Sequence, residues 1–123
     1  MRWGHRQRPT LDVDKLRSLF DLSGRTAIIT GGTRGIGFAL AQGHLAAGAN
    51  VVVTGRSEER CRAVQDTLDA PGRVVAIAAH MGDLTQVKQL VQQTIETFGG
   101  IDIVVNNAAT SLLQQFGEIT PEA

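Results

Sequence analysis

The chain has 123 residues, 42% of them hydrophobic, and its 12 basic side chains balance 12 acidic ones. This length fits one domain at most, and a chain of zero net charge is not expected to bind nucleic acid or an anionic membrane surface. A lone cysteine excludes an internal disulfide and no apolar run is long enough to span a membrane, so a cytoplasmic location is expected.

Residues 1–20 are expected to form an extension of the domain, and their first half is expected to be disordered. Residues 1–10 contain three arginines and no acidic residue. No apolar stretch follows them, so a secretory signal is not predicted. A short basic organellar leader is the alternative that this stretch leaves open. Apolar residues at helical spacing predict a short helix over residues 11–20.

From residue 21 onwards, short apolar runs alternate with longer segments of helical periodicity. Ser57 and Asp83 are candidate N-caps, and Asp83 is predicted to form a capping box with Gln86. Because each strand precedes a helix, we expect right-handed crossovers and a parallel, doubly wound α/β sheet in the strand order 3-2-1-4. The predicted strands span residues 26–30, 50–54, 74–79 and 101–106, and the predicted helices span 35–47, 58–68, the segment between Asp83 and Gly99, and a start at Thr120.

A glycine-rich turn, Thr30-Gly31-Gly32-Thr33-Arg34-Gly35-Ile36-Gly37, joins the first strand to the helix that follows. One glycine must permit a sharp turn, one must let the backbone approach a pyrophosphate, and one must let the helix pack close to the sheet. The helix N-terminus offers unpaired N–H groups and a partial positive charge to an anion. A plain strand-to-helix turn is the alternative. The phosphate cradle predicted here comprises Gly31, Thr33, Arg34, Gly35, Ile36 and Gly37.

A second motif, Asn106-Asn107-Ala108-Ala109, follows the fourth predicted strand, where open α/β sheets bind ligands. With Thr30-Gly31-x-x-x-Gly35-x-Gly37 it resembles the single-domain branch of the short-chain dehydrogenase/reductase family, although that family has glycine in place of Ala109. The resemblance implies a Rossmann-like fold, with residues 21–123 as its incomplete N-terminal part. It also implies that Asn107, Ala108 and Ala109 lie along the adenosine and ribose of a dinucleotide; a strand-ending turn is the alternative.

The residues after the second strand are expected to select the cofactor. An acidic residue there would accept hydrogen bonds from the ribose of NAD, but Gly55 occupies the position and Arg56 follows. Arg34 and Arg56 offer two cations to a 2′-phosphate, and Ser57 completes this part of the candidate site. These residues predict NADP(H), with NAD(H) less favoured and two solvated surface arginines as the alternative. In the resembled family, a basic residue at either place accompanies NADP.

His80 and Met81 follow the third strand and depart from the resembled family. That family has Asp or Asn followed by Val or Leu at this place, and the pair contacts the adenine ring. His80 is interpreted as offering a ring nitrogen to the adenine amine, and Met81 as packing on the base. A polar strand end without a ligand is the alternative.

The sequence lacks the catalytic residues of the resembled family. The resembled family uses Ser, a Tyr-x-x-x-Lys pair and an Asn in the second half of its domain, whereas this chain has no tyrosine and Ser111 comes too early. No catalytic residue is assigned, the chain alone is predicted to be inactive, and no metal is expected because the histidines lack ligand spacing. Cys61 is interpreted as structural. The resemblance implies an oxidoreductase that interconverts a small-molecule carbonyl and alcohol, and that forms a homo-oligomer at full length; a non-catalytic dinucleotide-binding or interaction module is the alternative.

Overall fold

The computed structural model describes residues 12–109, which form a four-stranded parallel sheet with helices packed on both faces. The strand order is β3-β2-β1-β4, as predicted. The α/β, Rossmann-like sheet expected from the sequence is therefore confirmed. The strands are β1 (Thr26–Ile29), β2 (Asn50–Gly55), β3 (Val74–Ala78) and β4 (Ile103–Val105), and the helices are α1 (Val13–Leu19), α2 (Gly35–Ala46), α3 (Glu58–Leu68) and α4 (Leu84–Phe98).

The two central strands are buried on both faces, as expected for a parallel sheet covered by crossover helices. On one face, β1 and β2 contribute to a cluster that includes Ala41 and Leu45 of α2 and Val64 of α3. On the other face, Ile28 and Val52 pack with Leu90 of α4. Alternate residues of each strand therefore serve two separate apolar layers, which explains the unbroken valine run of β2.

The fourth strand begins at Ile103, two residues later than predicted. Asp102 precedes it, and its carboxylate accepts a hydrogen bond from the N–H of Thr26 at 2.8 Å. The N–H of Asp102 donates to the carbonyl of Thr26 at 2.9 Å. At this point the Asp102 carboxylate, and not a backbone carbonyl, accepts the hydrogen bond from Thr26. Regular strand pairing with β1 therefore starts only at Ile103.

The short N-terminal helix forms where it is predicted, but it contributes nothing to the core. Oδ1 of Asp12 accepts from the N–H groups of Asp14 and Lys15, and caps α1. None of the residues of α1 is buried, and Leu19 is 71% exposed. No described helix is both long and apolar enough to cross a membrane. The predicted disorder of the first residues and the predicted helix start at Thr120 lie outside the described residues.

Candidate functional site

All of the predicted site residues lie at one edge of the sheet, where the carboxyl ends of the four parallel strands meet. Backbone hydrogen bonds tie the segments that leave these strands. The N–H of Gly32 donates to the carbonyl of Thr54 at 3.0 Å, and the N–H of Ala79 donates to that of Gly55 at 2.9 Å. Thr30 joins β4 by donating its N–H to the carbonyl of Val105 at 3.1 Å. This edge is where open α/β sheets bind ligands.

The Thr30 hydroxyl connects the glycine loop with the Asn-Asn-Ala segment. Oγ1 accepts hydrogen bonds from the N–H groups of Asn107 and Ala108, both at 2.9 Å, and donates to the carbonyl of Val105 at 3.3 Å. Nδ2 of Asn107 donates to the carbonyl of Gly31 at 3.2 Å. Two segments separated by more than 70 residues are therefore held as one unit. The sequence predicted both motifs but not the hydroxyl that joins them.

Two positions of the loop require glycine, each for a different structural reason. Gly31 has φ +63°, a left-handed conformation that glycine adopts without a steric penalty. Gly37 is buried, and a Cβ there would overlap the carbonyl oxygen of Gly31 and lie 2.6 Å from Nδ2 of Asn107. The close approach of α2 to the loop, expected from the spacing of the motif, therefore depends on Gly37.

The first turn of α2 lacks a side-chain cap. Arg34 occupies the N-cap position with an extended backbone, makes no side-chain hydrogen bond to the helix, and no acidic residue lies in the first turn. Gly35 and Ile36 are exposed, and Ile36 is 74% exposed. Backbone N–H groups at such an end carry partial positive charge and attract an anion. The predicted phosphate cradle thus has the required open helix N-terminus and a neighbouring cation.

The end of β2 brings Thr33 against Gly55. A Cβ at Gly55 would lie 2.7 Å from Cγ2 and 3.0 Å from Oγ1 of Thr33. An acidic side chain at position 55 would therefore displace Thr33, a constraint that the sequence did not reveal. Arg56 and Ser57 are exposed, and Oγ of Ser57 accepts from the N–H of Arg60 at 3.2 Å, which confirms Ser57 as the cap of α3.

The turn after β3 differs from its predicted form. Nδ1 of His80 accepts a hydrogen bond from the N–H of Gly82 at 2.8 Å, so this nitrogen is already occupied. The contact predicted between a ring nitrogen of His80 and the adenine amine stays a prediction. Oε1 of Gln86 accepts from the N–H of His80 at 2.8 Å, whereas a capping box would direct it to the N–H of Asp83. Met81 is half-buried and packs against the cluster of Ile28, Val52 and Leu90. Its predicted contact with a base stays a prediction.

Two titratable groups near this edge have shifted pKa values. The hydrogen bonds from the side chain and backbone of Gln86 lower the pKa of Asp83. Burial raises the pKa of the Cys61 thiol, whose sulfur lies 3.9 Å from the carbonyl oxygen of Gly55. A buried thiol with a raised pKa is a poor nucleophile, in agreement with a structural role. Within residues 12–109, no three His, Cys, Asp or Glu side chains converge on a possible metal position.

Thr54 and Thr30 lie at the same edge of the sheet but differ in the hydrogen bonding of their hydroxyl groups. Its side chain is 1% exposed, and within residues 12–109 its hydroxyl has no hydrogen-bond partner. Thr30 directly follows β1, and its hydroxyl makes three hydrogen bonds. Burial of an unpaired hydroxyl costs about 1–3 kcal/mol. The hydroxyl of Thr30 is thus expected to stabilise the fold, and the hydroxyl of Thr54 to destabilise it.

Comparison with known proteins agrees with this geometry. The family model for short chain dehydrogenase matches residues 25–123. The chain is 44% identical over 92 residues to the rhamnolipid-biosynthesis 3-oxoacyl-(acyl-carrier-protein) reductase of Pseudomonas aeruginosa, covering 75% of this chain and 36% of that protein. The chain therefore spans less than half the length of this relative.

Solved structures show the same fold. The Pseudomonas aeruginosa RhlG/NADP active-site complex matches with a TM-score of 0.71 and 39% identity, over 84% of this chain and 40% of that one. The N-domain of a bacterial malonyl-CoA reductase, solved with NADP, matches with a TM-score of 0.69 and 36% identity, over 72% of this chain and 17% of that one. With the family match extending over most of the sequence, this chain belongs to the short chain dehydrogenase family.

Proposed function

We propose that this chain is the NADP(H)-binding portion of a short-chain oxidoreductase that interconverts a carbonyl and an alcohol by hydride transfer. The observation that carries the proposal is the uncapped N-terminus of α2. The Thr30 and Asn107 hydrogen bonds tie the loop before it to the segment after β4, and the N–H of Gly32 ties the same loop to the carbonyl of Thr54 in β2. The names of the similar proteins support it, since they include a 3-oxoacyl reductase and two structures solved with NADP.

Binding of the phosphates and ribose is assigned to residues of three of the four segments at this edge. The N–H groups of the first turn of α2 would hold the pyrophosphate. Gly55 carries no acid that would repel a 2′-phosphate, and Arg34 and Arg56 would neutralise it. Asn107, Ala108 and Ala109 would lie along the ribose and adenosine. When bound, the nicotinamide would donate or accept the hydride, and the residues of this chain would bind and orient the dinucleotide.

Proton transfer is assigned to residues that these 123 positions do not include. The sequence has no tyrosine, which the resemblance makes the general acid. We therefore propose that the chain by itself binds NADP(H) without turnover. A non-catalytic dinucleotide-binding or interaction module is the second candidate, and the same absence of tyrosine favours it. Turnover of NADPH by the 123-residue chain with any of a panel of ketones would contradict both statements.

The cofactor assignment is tested by the ratio of NADPH to NADH affinity. We expect Arg34→Ala and Arg56→Ala each to weaken NADPH binding about ten- to a hundredfold, since a charge-assisted hydrogen bond contributes about 1.5–3 kcal/mol. NADH binding should change little. Arg62→Ala, at an exposed arginine of α3, is the matched control and should leave both affinities unchanged. An unchanged ratio in both test variants would refute NADP selection by these arginines.

The remaining assignments concern the larger protein of which these residues would be part. We propose a small-molecule carbonyl or alcohol substrate, a homo-oligomer at full length, and a cytoplasmic location. Neither nucleic acid nor a membrane is a proposed partner, because the net charge is zero.

A further inference from the structure

His80 makes the same local hydrogen bond that aspartate makes in three other turns of this chain. Its Nδ1 accepts from the N–H of Gly82, two residues further on, at 2.8 Å. Oδ1 of an aspartate accepts from the N–H two residues further on, at 3.0 Å, in each of the other turns. This bond is the defining feature of an Asx-turn. The imidazole at position 80 therefore replaces a carboxylate without loss of the turn. The three aspartates are Asp12, Asp21 and Asp83.

The two kinds of side chain differ at their second polar atom. A neutral imidazole carries one proton, and because Nδ1 of His80 accepts a hydrogen bond, the proton resides on Nε2. Nε2 is then a donor, whereas the second oxygen of an aspartate would be an acceptor. His80 is exposed, and within residues 12–109 its Nε2 makes no hydrogen bond.

The rest of the turn fixes the position of His80. Its N–H donates to Oε1 of Gln86 at 2.8 Å, and its carbonyl accepts from the N–H of Asp83 at 3.0 Å. The ring lies so close to Gly82 that a Cβ there would be 2.7 Å from Cε1. Both backbone polar groups and one ring nitrogen are therefore held, which leaves the second ring nitrogen as the group available to a ligand.

The turn lies beside the segment expected to hold the cofactor ribose. The N–H of Ala79 donates to the carbonyl of Gly55 at 2.9 Å. In the strand order β3-β2-β1-β4, a dinucleotide with its phosphates at α2 and its ribose at the end of β2 extends its base towards β3. We propose that His80 donates a hydrogen bond from Nε2 to a ring acceptor of the purine, so that the site accepts 6-oxopurine dinucleotides as well as adenine dinucleotides. This inference rests on the proposed function.

The chemistry of the two bases makes the inference specific. Adenine offers N1 and N7 as acceptors, and hypoxanthine offers O6 and N7, so an N–H donor finds a partner on either base. A carboxylate at position 80 that faces position 6 of the base would accept from the amino group of adenine and would repel O6 of hypoxanthine. The discriminating quantity is the ratio of the Kd of the hypoxanthine analogue of NADPH to the Kd of NADPH.

The experiment measures both dissociation constants by calorimetry for the wild type, His80→Asp and His80→Ala. We expect a ratio within about threefold of unity for the wild type, because either base accepts from Nε2. His80→Asp retains an acceptor for the N–H of Gly82, so the turn should persist, and the ratio should rise at least about tenfold, the loss of one hydrogen bond. His80→Ala should weaken both ligands by the same factor.

A second measurement is independent of ligand. Long-range proton–nitrogen correlation spectra of the unliganded protein in alkaline buffer, where imidazole is neutral, should identify Nε2 of His80 as the protonated nitrogen. A proton on Nδ1 would overturn the inference, as would tenfold rejection of the hypoxanthine analogue by the wild type, or an unchanged ratio in His80→Asp. Failure of the wild type to bind NADPH would instead reject the proposed function, and the inference with it.

Discussion

Helices α2 and α4 begin at the same edge of the sheet, but their first turns are built in opposite ways. Asp83 caps α4, where its Oδ1 accepts from the N–H groups of Thr85 and Gln86 at 3.0 and 3.3 Å. At the corresponding place in α2 stands Arg34, which makes no cap hydrogen bond. The chain satisfies one helix terminus with its own carboxylate and leaves the other without a side-chain cap. The difference is what the proposed phosphate site requires, because a side-chain cap at α2 would occupy the first-turn N–H groups that are proposed to hold the pyrophosphate.

The open end of α2 is held in place by contacts outside its own first turn. Gly37 packs against the carbonyl of Gly31, and Asn107 donates a hydrogen bond to the same carbonyl. Both contacts are absent from the α4 terminus, where the cap residue and Gln86 form a local network.

The largest effect is expected from Gly37→Ala. The added methyl group would overlap the carbonyl of Gly31 and approach Nδ2 of Asn107, so α2 must move away from the loop. Overpacking of this kind costs about 1–3 kcal/mol of stability. We expect loss of measurable NADPH binding in a titration followed by nicotinamide fluorescence, together with a lower urea midpoint.

Gly43→Ala provides the control within the same helix. Gly43 is exposed, and a Cβ there would have no atom within 4 Å. Alanine is the better helix former, so this variant should gain about 0.4–1 kcal/mol of stability and bind NADPH as the wild type does. Equal affinities in Gly37→Ala and Gly43→Ala would show that the position of α2 does not matter for binding.

A cap can also be introduced at α2. Arg34→Asp places a carboxylate at the N-cap, where it should accept from the first-turn N–H groups as Asp83 does in α4. We expect the thermal midpoint to rise and NADPH affinity to fall at least about tenfold, because the variant occupies the anion site and removes a cation. A stabilised variant that still binds NADPH with full affinity would break the comparison between the two termini.

The third effect concerns the hydroxyls behind the open terminus. Thr30→Val leaves the N–H groups of Asn107 and Ala108 without their acceptor and should lower the free energy of unfolding by about 1–3 kcal/mol. Thr54→Val removes a buried hydroxyl that has no partner within residues 12–109, and should be neutral or stabilising. Urea unfolding of both variants measures the difference. Equal destabilisation would mean that Thr54 has a partner outside that range.

The sequence predicted the frame of this site well, because periodicity and glycine spacing report local structure. Each strand lies within two residues of its predicted bounds, and all four loops reach the same edge. The contacts between segments were not predictable. The packing of Thr33 on Gly55 depends on how β1 and β2 align, and the three hydrogen bonds of Thr30 depend on a partner more than 70 residues away. His80 was a departure in sequence, and only the turn shows that its Nδ1 serves as an aspartate oxygen would.

The smallest effect is expected at the capped terminus. Asp83→Ala removes the acceptor for Thr85 and Gln86, so α4 should fray and the urea midpoint at neutral pH should fall, while NADPH affinity should change less than in any variant of α2. Because the Gln86 hydrogen bonds depress the pKa of Asp83 in the folded state, its contribution is present above the ordinary value of 3.8 and disappears as the pH falls through the lowered folded value. The difference between wild type and Asp83→Ala should therefore shrink in acid, whereas Asp83→Asn, which caps without charge, should keep a difference from Asp83→Ala at every pH. If instead Asp83→Ala lost NADPH affinity as severely as Gly37→Ala, the α4 terminus would belong to the binding site, and the two helix ends would not be divided between stability and binding.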